Sequence, residues 1–349
     1  MKPADEPPEH TRRPRYPGRN PRRFHDKYKE LDPGRDPSAV QKVLASGKTP
    51  AGSHRPIMVD EVLECLRPSP GEVAVDCTLG GGGHARALLA RLQPGGRLIG
   101  IDVDPLELPR TEAALRAEGF GPETFGAHLG NFAGLAKVIA REGLTVVDLA
   151  LADLGVSSMQ LDNPDRGFNY KEPGPLDMRM NPSRGEPAAR LIARLTEQNL
   201  EDLLSENADE PHARLIAGTL KQQPLDTTHA LERSVRTALT SAPLNLAKAD
   251  VKMSVRRTFQ ALRIAVNDEF STLDWLLRSL PGCLAPGGRV ALLTFHSGED
   301  RRVKKAFQAG YRAGVYSAVA ADVIRPTMEE TRANRRASSA KLRWAVRAG

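Results

Sequence analysis

A short apolar segment, four consecutive glycines and a helix-like segment follow one another in Val73-Ala-Val-Asp-Cys-Thr-Leu-Gly-Gly-Gly-Gly-His84. Alternation before the glycines predicts a strand, and Ala85, Leu88, Leu89 and Leu92 after them have the spacing of a helix. Glycine has no Cβ, so it permits positive φ and close approach of a ligand. Such a junction presents bare backbone and the positive end of a helix to a ligand. A tight turn without a ligand is the alternative.

Further strand-like segments indicate the architecture around this junction. They cover residues 72–77, 97–102, 125–132, 146–153 and 289–295, and residues 340–346 alternate as a final edge strand. One long helix carrying Leu262, Val266, Phe270, Leu273, Leu277 and Leu280 precedes a turn at residues 281–288. Strands that alternate with helices predict a parallel sheet covered on both faces, which is a doubly wound α/β fold.

The alternation stops between residues 162 and 252, where no convincing strand occurs. A Pro/Gly-rich loop is followed by helical segments near 188–195, 197–206, 211–221 and 228–240, the last with Asp226 and Thr227 as possible N-caps. We therefore expect a small all-helical substrate-recognition domain in 162–252, inserted into a Rossmann-like domain made of 54–161 and 253–349.

Composition limits the class of protein. The 349 residues carry a net charge of +7, and eight Lys or Arg fall between Thr11 and Lys29. The sequence therefore predicts that residues 1–53 form a disordered basic tail, which is either solvated without a specific role or binds RNA non-specifically. Membrane-length apolar runs and signal-peptide cores are absent, which favours the cytoplasm and no membrane partner. Cys65, Cys77 and Cys283 are widely spaced, which predicts reduced thiols and no metal site.

Four groups that can carry chemistry follow strands, and ligands of open α/β sheets lie beyond the carboxyl ends of the strands. These groups are the glycine turn, Asp102, Asp153 and His296-Ser297. Asp102 stands 22 residues after Gly80, where an acid can bind the ribose hydroxyls of an adenosine cofactor or merely cap a turn. Gly80-x-Gly82-x-x-Ala85 also satisfies the loose dinucleotide pattern, so a nicotinamide dehydrogenase remains possible, whereas a P-loop is excluded.

Several motifs together closely resemble one family. They are Asp76-Cys-Thr-Leu-Gly-Gly-Gly-Gly-His84, Gly100-Ile-Asp-Val-Asp-Pro105, Asp153-Leu-Gly-Val-Ser-Ser-Met-Gln-Leu-Asp162, Arg166-Gly-Phe, Gly174-Pro-Leu-Asp-Met-Arg-Met180, Thr258-Phe-Gln-Ala-Leu-Arg-Ile-Ala-Val-Asn-Asp-Glu269, Phe295-His-Ser and Ser339-Ala-Lys-Leu-Arg343. The family is RsmH (also called MraW), bacterial 16S rRNA cytosine-N4 methyltransferases. The resemblance covers residues 54–343 and implies S-adenosylmethionine as methyl donor, a class I methyltransferase fold and a cytidine of the decoding region as substrate.

When the family's motifs are matched to positions of this sequence, the resemblance implies further cofactor contacts besides Gly80. They fall on Gly82, Gly83, His84, Asp102, Phe132, Asp153 and Gln160. The partner implied is 16S rRNA or the small ribosomal subunit, with no obligate protein partner.

The chemistry of cytosine suggests the remaining roles. Transfer to N4 needs no covalent attack on the base, so the methyl group should move in line from sulfur to nitrogen. We expect Asp153 to hold the amine, by its carboxylate or through the adjacent backbone carbonyl; a cap or a contact to the cofactor alone is the alternative. His296 and Ser297 are expected to orient the base or relay a proton. An extruded base would stack in a cradle of Arg166, Phe168, Tyr170 and Arg179, with basic side chains between residues 301 and 343 on the RNA backbone.

Three other functions remain open at this point. The chain could methylate another acceptor, such as a protein amide or a small molecule. It could be an RNA-binding assembly factor that has lost turnover, although a pure binder has no need of the glycine turn, Asp102 and Asp153. A nicotinamide dehydrogenase ranks last.

Overall fold

A seven-stranded sheet forms the centre of the protein in the computed structural model, which describes residues 56–349. The strands are β1 (Val73–Asp76), β2 (Arg97–Asp102), β3 (Phe125–Leu129), β4 (Val147–Asp153), β5 (Leu284–Thr294), β6 (Tyr316–Val319) and β7 (Lys341–Arg347). Their order is β3-β2-β1-β4-β5-β7-β6, and only the pairs involving β7 are antiparallel. Chain order reverses between β1 and β4, which opens a crevice at their carboxyl ends.

Helices cover both faces of this sheet, which confirms the doubly wound α/β prediction. They are α1 (Val59–Leu66), α2 (Gly83–Leu92), α3 (Leu108–Ala117), α4 (Leu135–Arg141), α5 (Ser158–Asp162), α6 (Ala188–Arg194), α7 (Glu197–Ala208), α8 (Ala213–Leu220), α9 (Thr228–Ser241), α10 (Lys248–Asn267), α11 (Glu269–Cys283), α12 (Ser297–Arg312) and α13 (Met328–Ala333). One apolar cluster packs α4, α11 and α12 on the sheet, and a second packs α1 to α3 on its other face. Within residues 56–349 no helix is long and apolar enough to cross a membrane. The predicted tail of residues 1–53 lies outside the described residues.

Two predictions about the end of the sheet are wrong. Strand β7 is an inner strand, because the unpredicted strand β6 pairs with its outer side and forms the edge. The predicted turn at 281–288 is instead divided between the last residues of α11 and the first residues of β5. Strand β6 reads Tyr-Ser-Ala-Val with only Tyr316 buried, so its sequence shows no alternating apolar face.

The predicted long helix after residue 252 is two helices. Asp268 separates α10 from α11 because its backbone is left-handed, with φ of 49°. Such a conformation ends a helix, and aspartate tolerates it better than most residues.

Helices α6 to α9 agree closely with the four predicted helical segments, and Thr227 caps α9 by accepting a hydrogen bond from the Ala230 N–H. They share a separate apolar core with the buried face of α10, including Val255 and Leu262. The predicted boundary at 252/253 therefore falls inside a helix of this core. We propose that the helical unit extends to Asn267.

Candidate active site

A cavity of about 470 Å³ lies at the carboxyl ends of β1, β2 and β4, a size typical of small-molecule sites. Most of the predicted cofactor residues line it, namely Gly80, Gly83, His84, Asp102, Phe132, Asp153 and Gln160. Gly82 does not. The structure thus brings together groups that are as far as 80 residues apart in sequence.

The glycine turn forms one wall of the cavity. Gly80 and Gly82 have φ of 47° and 72°, in the left-handed region that glycine adopts without strain. A Cβ on Gly82 would lie 2.9 Å from Thr111 Cγ2, and one on Gly83 would lie 2.8 Å from Pro56 Cγ. Gly82 is therefore required by the turn and its packing, whereas Gly80 and Gly83 also face the cavity.

Asp102 ends β2 beside this turn. Its Oδ2 accepts a hydrogen bond from the Gly80 N–H at 2.6 Å, and its Oδ1 accepts one from the Asp104 N–H at 2.8 Å. Burial raises its pKa, although these two donors act in the opposite direction. The carboxylate therefore caps two turns and still lines the cavity, so the two roles considered from sequence are compatible.

Asp104 is a site residue that the sequence analysis missed. The carboxyl is almost completely buried, and Oδ2 accepts hydrogen bonds from Gln160 Nε2 at 2.9 Å and Arg166 Nη1 at 2.8 Å. Gln160 Oε1 in turn accepts from the Ser157 N–H, which completes a capping box at α5. This network ties the segment after β2 to the segment after β4, so the Gln160 amide is already engaged where it lines the cavity.

The predicted base-stacking cradle is not formed by the described structure. Arg166 and Phe168 are buried, at 8% and 7% exposed, and the Tyr170 ring packs 5.2 Å from the Phe259 ring. Arg179 is paired with Asp177 at 2.7 Å. None of these four predicted side chains lines the cavity. Their aromatic and cationic groups serve the helical core and internal ion pairs, which corrects the expectation that they are free to hold a base.

Asp153 ends β4 and lies in the middle of the cavity wall. Its Oδ1 is buried and has no hydrogen-bond partner among residues 56–349, while Oδ2 lies 3.7 Å from His84 Nδ1. Burial raises its pKa to about 7, with a further contribution from the negative charge of Glu299. At neutral pH this carboxyl is therefore poised between acid and base.

His84 lines the cavity beside Asp153 but does not neutralise it. Its Nε2 lies 2.9 Å from the Ile57 carbonyl oxygen, which can only accept, so Nε2 carries the ring proton. Burial lowers the pKa of this imidazole, although the Asp76 carboxylate acts in the opposite direction. A neutral His84 thus presents an unprotonated Nδ1 toward Asp153.

His296 and Ser297 stand at the start of α12 and, contrary to the sequence prediction, neither lines the cavity. The His296 ring is packed 5.7 Å from Phe270, and its Nε2 lies 3.2 Å from Glu299 Oε1. Glu299 does line the cavity. Of the segment His296-Ser-Gly-Glu299, it is therefore Glu299 that lines the cavity. In the sequence alone, Glu299 could not be told from an ordinary surface acid.

Arg263 and Glu269 form an ion pair on the same wall, with two nitrogen–oxygen contacts of 2.7 Å. Glu269, His296 and Glu299 each place one potential metal-ligand atom within 4.8 Å of the others. Arg263 already supplies positive charge to this cluster, so we propose no metal here. The predicted absence of a metal stays a prediction.

The donor set around the glycine turn fits S-adenosylmethionine. Asp102 can accept from ribose hydroxyls, and the Phe132 ring offers an apolar surface for an adenine. Asp153 gives the wall beside the turn a negative charge, which suits a sulfonium and disfavours the pyrophosphate of a dinucleotide.

Comparison with known proteins agrees with this geometry. The model of the MraW methylase family matches residues 51–348. Ribosomal RNA small subunit methyltransferase H 2 of Alkaliphilus metalliredigens is 48% identical over 342 residues, covering 97% of each chain. Ribosomal RNA small subunit methyltransferase H 1 of Lachnoclostridium phytofermentans is 46% identical, covering 98% of this chain and 94% of the other. The chain therefore belongs to the MraW methylase family, and it is an S-adenosylmethionine-dependent methyltransferase.

Proposed function

We propose that this protein transfers a methyl group from S-adenosylmethionine to the N4 amine of a cytidine in the decoding region of 16S rRNA, in the cytoplasm. The names of its relatives at 46–48% identity support small-subunit rRNA as the substrate. The observation that carries the assignment to an amine is Asp153, a buried carboxyl with a free acceptor oxygen beside the glycine turn.

The N4 amine is a poor nucleophile because its lone pair is delocalised into the ring. When bound, S-adenosylmethionine supplies an electrophilic methyl group. Gly80, Gly83 and Asp102 would hold it, and Phe132 would flank its adenine. No thiol is needed for transfer to N4. Burial raises the pKa of Cys65, Cys77 and Cys283, which keeps these thiols protonated and suits structural roles.

The chain's own contribution is alignment and a place for positive charge. Asp153 accepts a hydrogen bond from the amine, which orients the lone pair toward the methyl group. It then takes the proton that the methylated nitrogen must lose. The neutral His84 leaves the negative charge of Asp153 available for this step, because it carries no compensating charge.

Methyl transfer should depend on pH through Asp153. Because its folded pKa is raised to about 7, the active carboxylate form is lost as pH falls below that value. We expect kcat/KM to fall about tenfold for each unit below pH 7 and to level off above about pH 8. A pH profile of transfer at saturating S-adenosylmethionine checks this. A flat profile between pH 5.5 and 8 would show that Asp153 does not act as a base.

An exposed cation at the rim of the cavity can contact the RNA backbone. Arg335 is exposed, lines the cavity and has no ion-pair partner among residues 56–349. Lys341 and Arg343, which the sequence suggested as RNA contacts, are instead paired with Asp300 at 3.1 and 2.6 Å. We therefore propose Arg335 as the phosphate contact nearest the reacting base.

Replacing Arg335 with Ala should weaken RNA binding uniformly across sequences. RNA affinity of the wild type should fall steeply with salt, and the slope of log affinity against log salt should decrease by about 1 in the variant. Filter binding between 50 and 300 mM salt gives both slopes. Arg91, exposed at the far end of α2, provides the control Arg91→Ala. Equal slopes in all three proteins would exclude Arg335.

The helical unit completes one side of the proposed substrate site. Met180, Arg263 and Asn267 line the cavity, and Asn267 donates to the Met178 carbonyl, which holds the segment before α6 against α10. We propose that this unit positions the RNA, although not through the four side chains first suggested.

One transfer assay separates the remaining functions. The protein is incubated with methyl-labelled S-adenosylmethionine and small ribosomal subunits, free 16S rRNA or neither. Label in RNA supports the proposal. Label in protein or in a small molecule would indicate another acceptor, and cofactor binding without transfer would indicate an assembly factor.

A further inference from the structure

One wall of the cavity is not used by the proposed cofactor contacts. It lies beyond Asp153 and is formed by Arg263, Glu269, Phe295 and Glu299, which come from α10, α11, the end of β5 and α12. A methyl acceptor must approach Asp153 from a side that the cofactor does not fill. This wall is the charged surface of the cavity that the acceptor base can meet beyond Asp153.

Arg263 contributes a directed donor to this wall. Its Nε and Nη2 are held by the two oxygens of Glu269 at 2.7 Å each. Nη1 has no hydrogen-bond partner in the part of the chain that the structure describes. A guanidinium clamped on one edge has few alternative orientations, so its remaining N–H groups are pre-organised to donate to a ligand.

Glu299 contributes an acceptor beside it. The side chain is 3% exposed, and Oε2 is used by the Phe295 N–H at 2.8 Å. Burial works against its charge, but His296 and Arg263 hold the pKa of this carboxyl below its ordinary value. Glu299 is thus a fixed carboxylate. Its Oε1 lies 3.2 Å from His296 Nε2 and keeps a second lone pair for a ligand. One carboxylate oxygen of Glu299 lies within 4.8 Å of one of Glu269, the ion-pair partner of Arg263, and these groups line the same cavity as Asp153.

The acceptor Glu299 beside the donor Arg263 matches the Watson–Crick edge of cytosine and not that of uracil. Cytosine presents N4–H groups beside the acceptors N3 and O2, whereas uracil presents the acceptor O4 beside N3–H. We propose that Glu299 and Arg263 read the Watson–Crick edge of the target base, with Glu299 accepting from the N4 amine and Arg263 Nη1 donating to N3 or O2. This inference rests on the proposed function and names the residues that select cytosine.

The same pair rejects uracil by leaving buried groups unsatisfied. Glu299 would face the O4 lone pairs, and Arg263 Nη1 would face N3–H. Sites built to satisfy polar groups of one ligand discriminate strongly against a ligand that cannot pair with them. Asp153 acts on the reacting amine proton, so selection and chemistry fall on different carboxylates of one wall.

Glu299→Gln tests this division because the amide keeps the shape but introduces a donor. Small subunits with cytidine at the mapped position are methylated in the presence of subunits with uridine there. The degree to which the uridine form inhibits methylation gives the preference for cytidine. We expect the preference for cytidine to fall by about tenfold or more relative to wild type. Arg263→Lys, which retains the charge but loses the fork, should lower the preference in the same direction.

Affinity for S-adenosylmethionine, measured by calorimetry, should be unchanged in both variants. Glu112→Gln, on the surface of α3 and paired with Arg116, is the matched control and should keep wild-type preference. A wild-type preference in both variants would overturn the inference, as would loss of cofactor binding without a change in preference. Either result leaves the proposed function standing if wild type still methylates cytosine N4. Absence of that product in wild type would instead reject the proposed function.

Discussion

Replacing Asp153 with Asn should lower the rate of methyl transfer by about 100-fold to 10,000-fold, the usual contribution of a positioned general base. The amide cannot take up the amine proton, and it removes the negative charge from the wall beside the glycine turn. Single-turnover transfer from labelled S-adenosylmethionine to small subunits measures the chemical step directly.

Binding of S-adenosylmethionine to Asp153→Asn separates a chemical role of Asp153 from a structural one. A folded variant that binds the cofactor but does not transfer the methyl group has lost only the chemical role. Because Oδ1 has no partner within residues 56–349, the substitution breaks no hydrogen bond of that atom, and the fold should be retained. Asp274→Asn, an exposed carboxylate paired with Arg302, is the control and should transfer at the wild-type rate. Near-normal turnover of Asp153→Asn would refute the assignment.

The Asp104–Arg166 pair should be the most sensitive point for stability. Both side chains are buried, at 1% and 9% exposed, and Gln160 shares the same carboxylate oxygen. Asp104→Ala leaves a buried guanidinium without its charge partner, which typically costs about 3–5 kcal/mol. Urea unfolding should show this as a lower free energy of unfolding, with the midpoint moved to lower denaturant.

A surface pair provides the comparison for that measurement. Glu112 and Arg116 are 40% and 30% exposed, so Glu112→Gln should cost less than about 1 kcal/mol. If Asp104→Ala were no more costly than this control, the buried network would not hold the two strand ends together.

The features that were predicted well depend on residues that lie close together in the sequence. Asp102 and Asp153 are the last residues of β2 and β4, and the glycine run follows β1 after three residues. Parallel topology brings such positions to one edge of the sheet. The four helices of the inserted unit were predicted because each buries an apolar stripe of helical period.

Features that depend on partners distant in sequence were not predicted. Asp104 reaches Arg166 across 62 residues, and nothing near either residue shows that the pair is buried. Phe168 and Tyr170 look like exposed stacking groups until the helical core is in place to receive them. Glu299 resembles any surface acid of an amphipathic helix, and only Arg263 and Glu269, which are distant in sequence, complete the cavity wall around it.

The central claim is that the acceptor is the N4 amine of a cytosine in small-subunit rRNA. Small subunits from cells that lack this gene are incubated with the protein and S-adenosylmethionine, and the rRNA is digested to nucleosides and mapped fragments for mass spectrometry. The account predicts N4-methylated cytidine at one position of the decoding region in the wild-type reaction, and none with Asp153→Asn. Methyl groups on carbon five, on a ribose or on protein would contradict it.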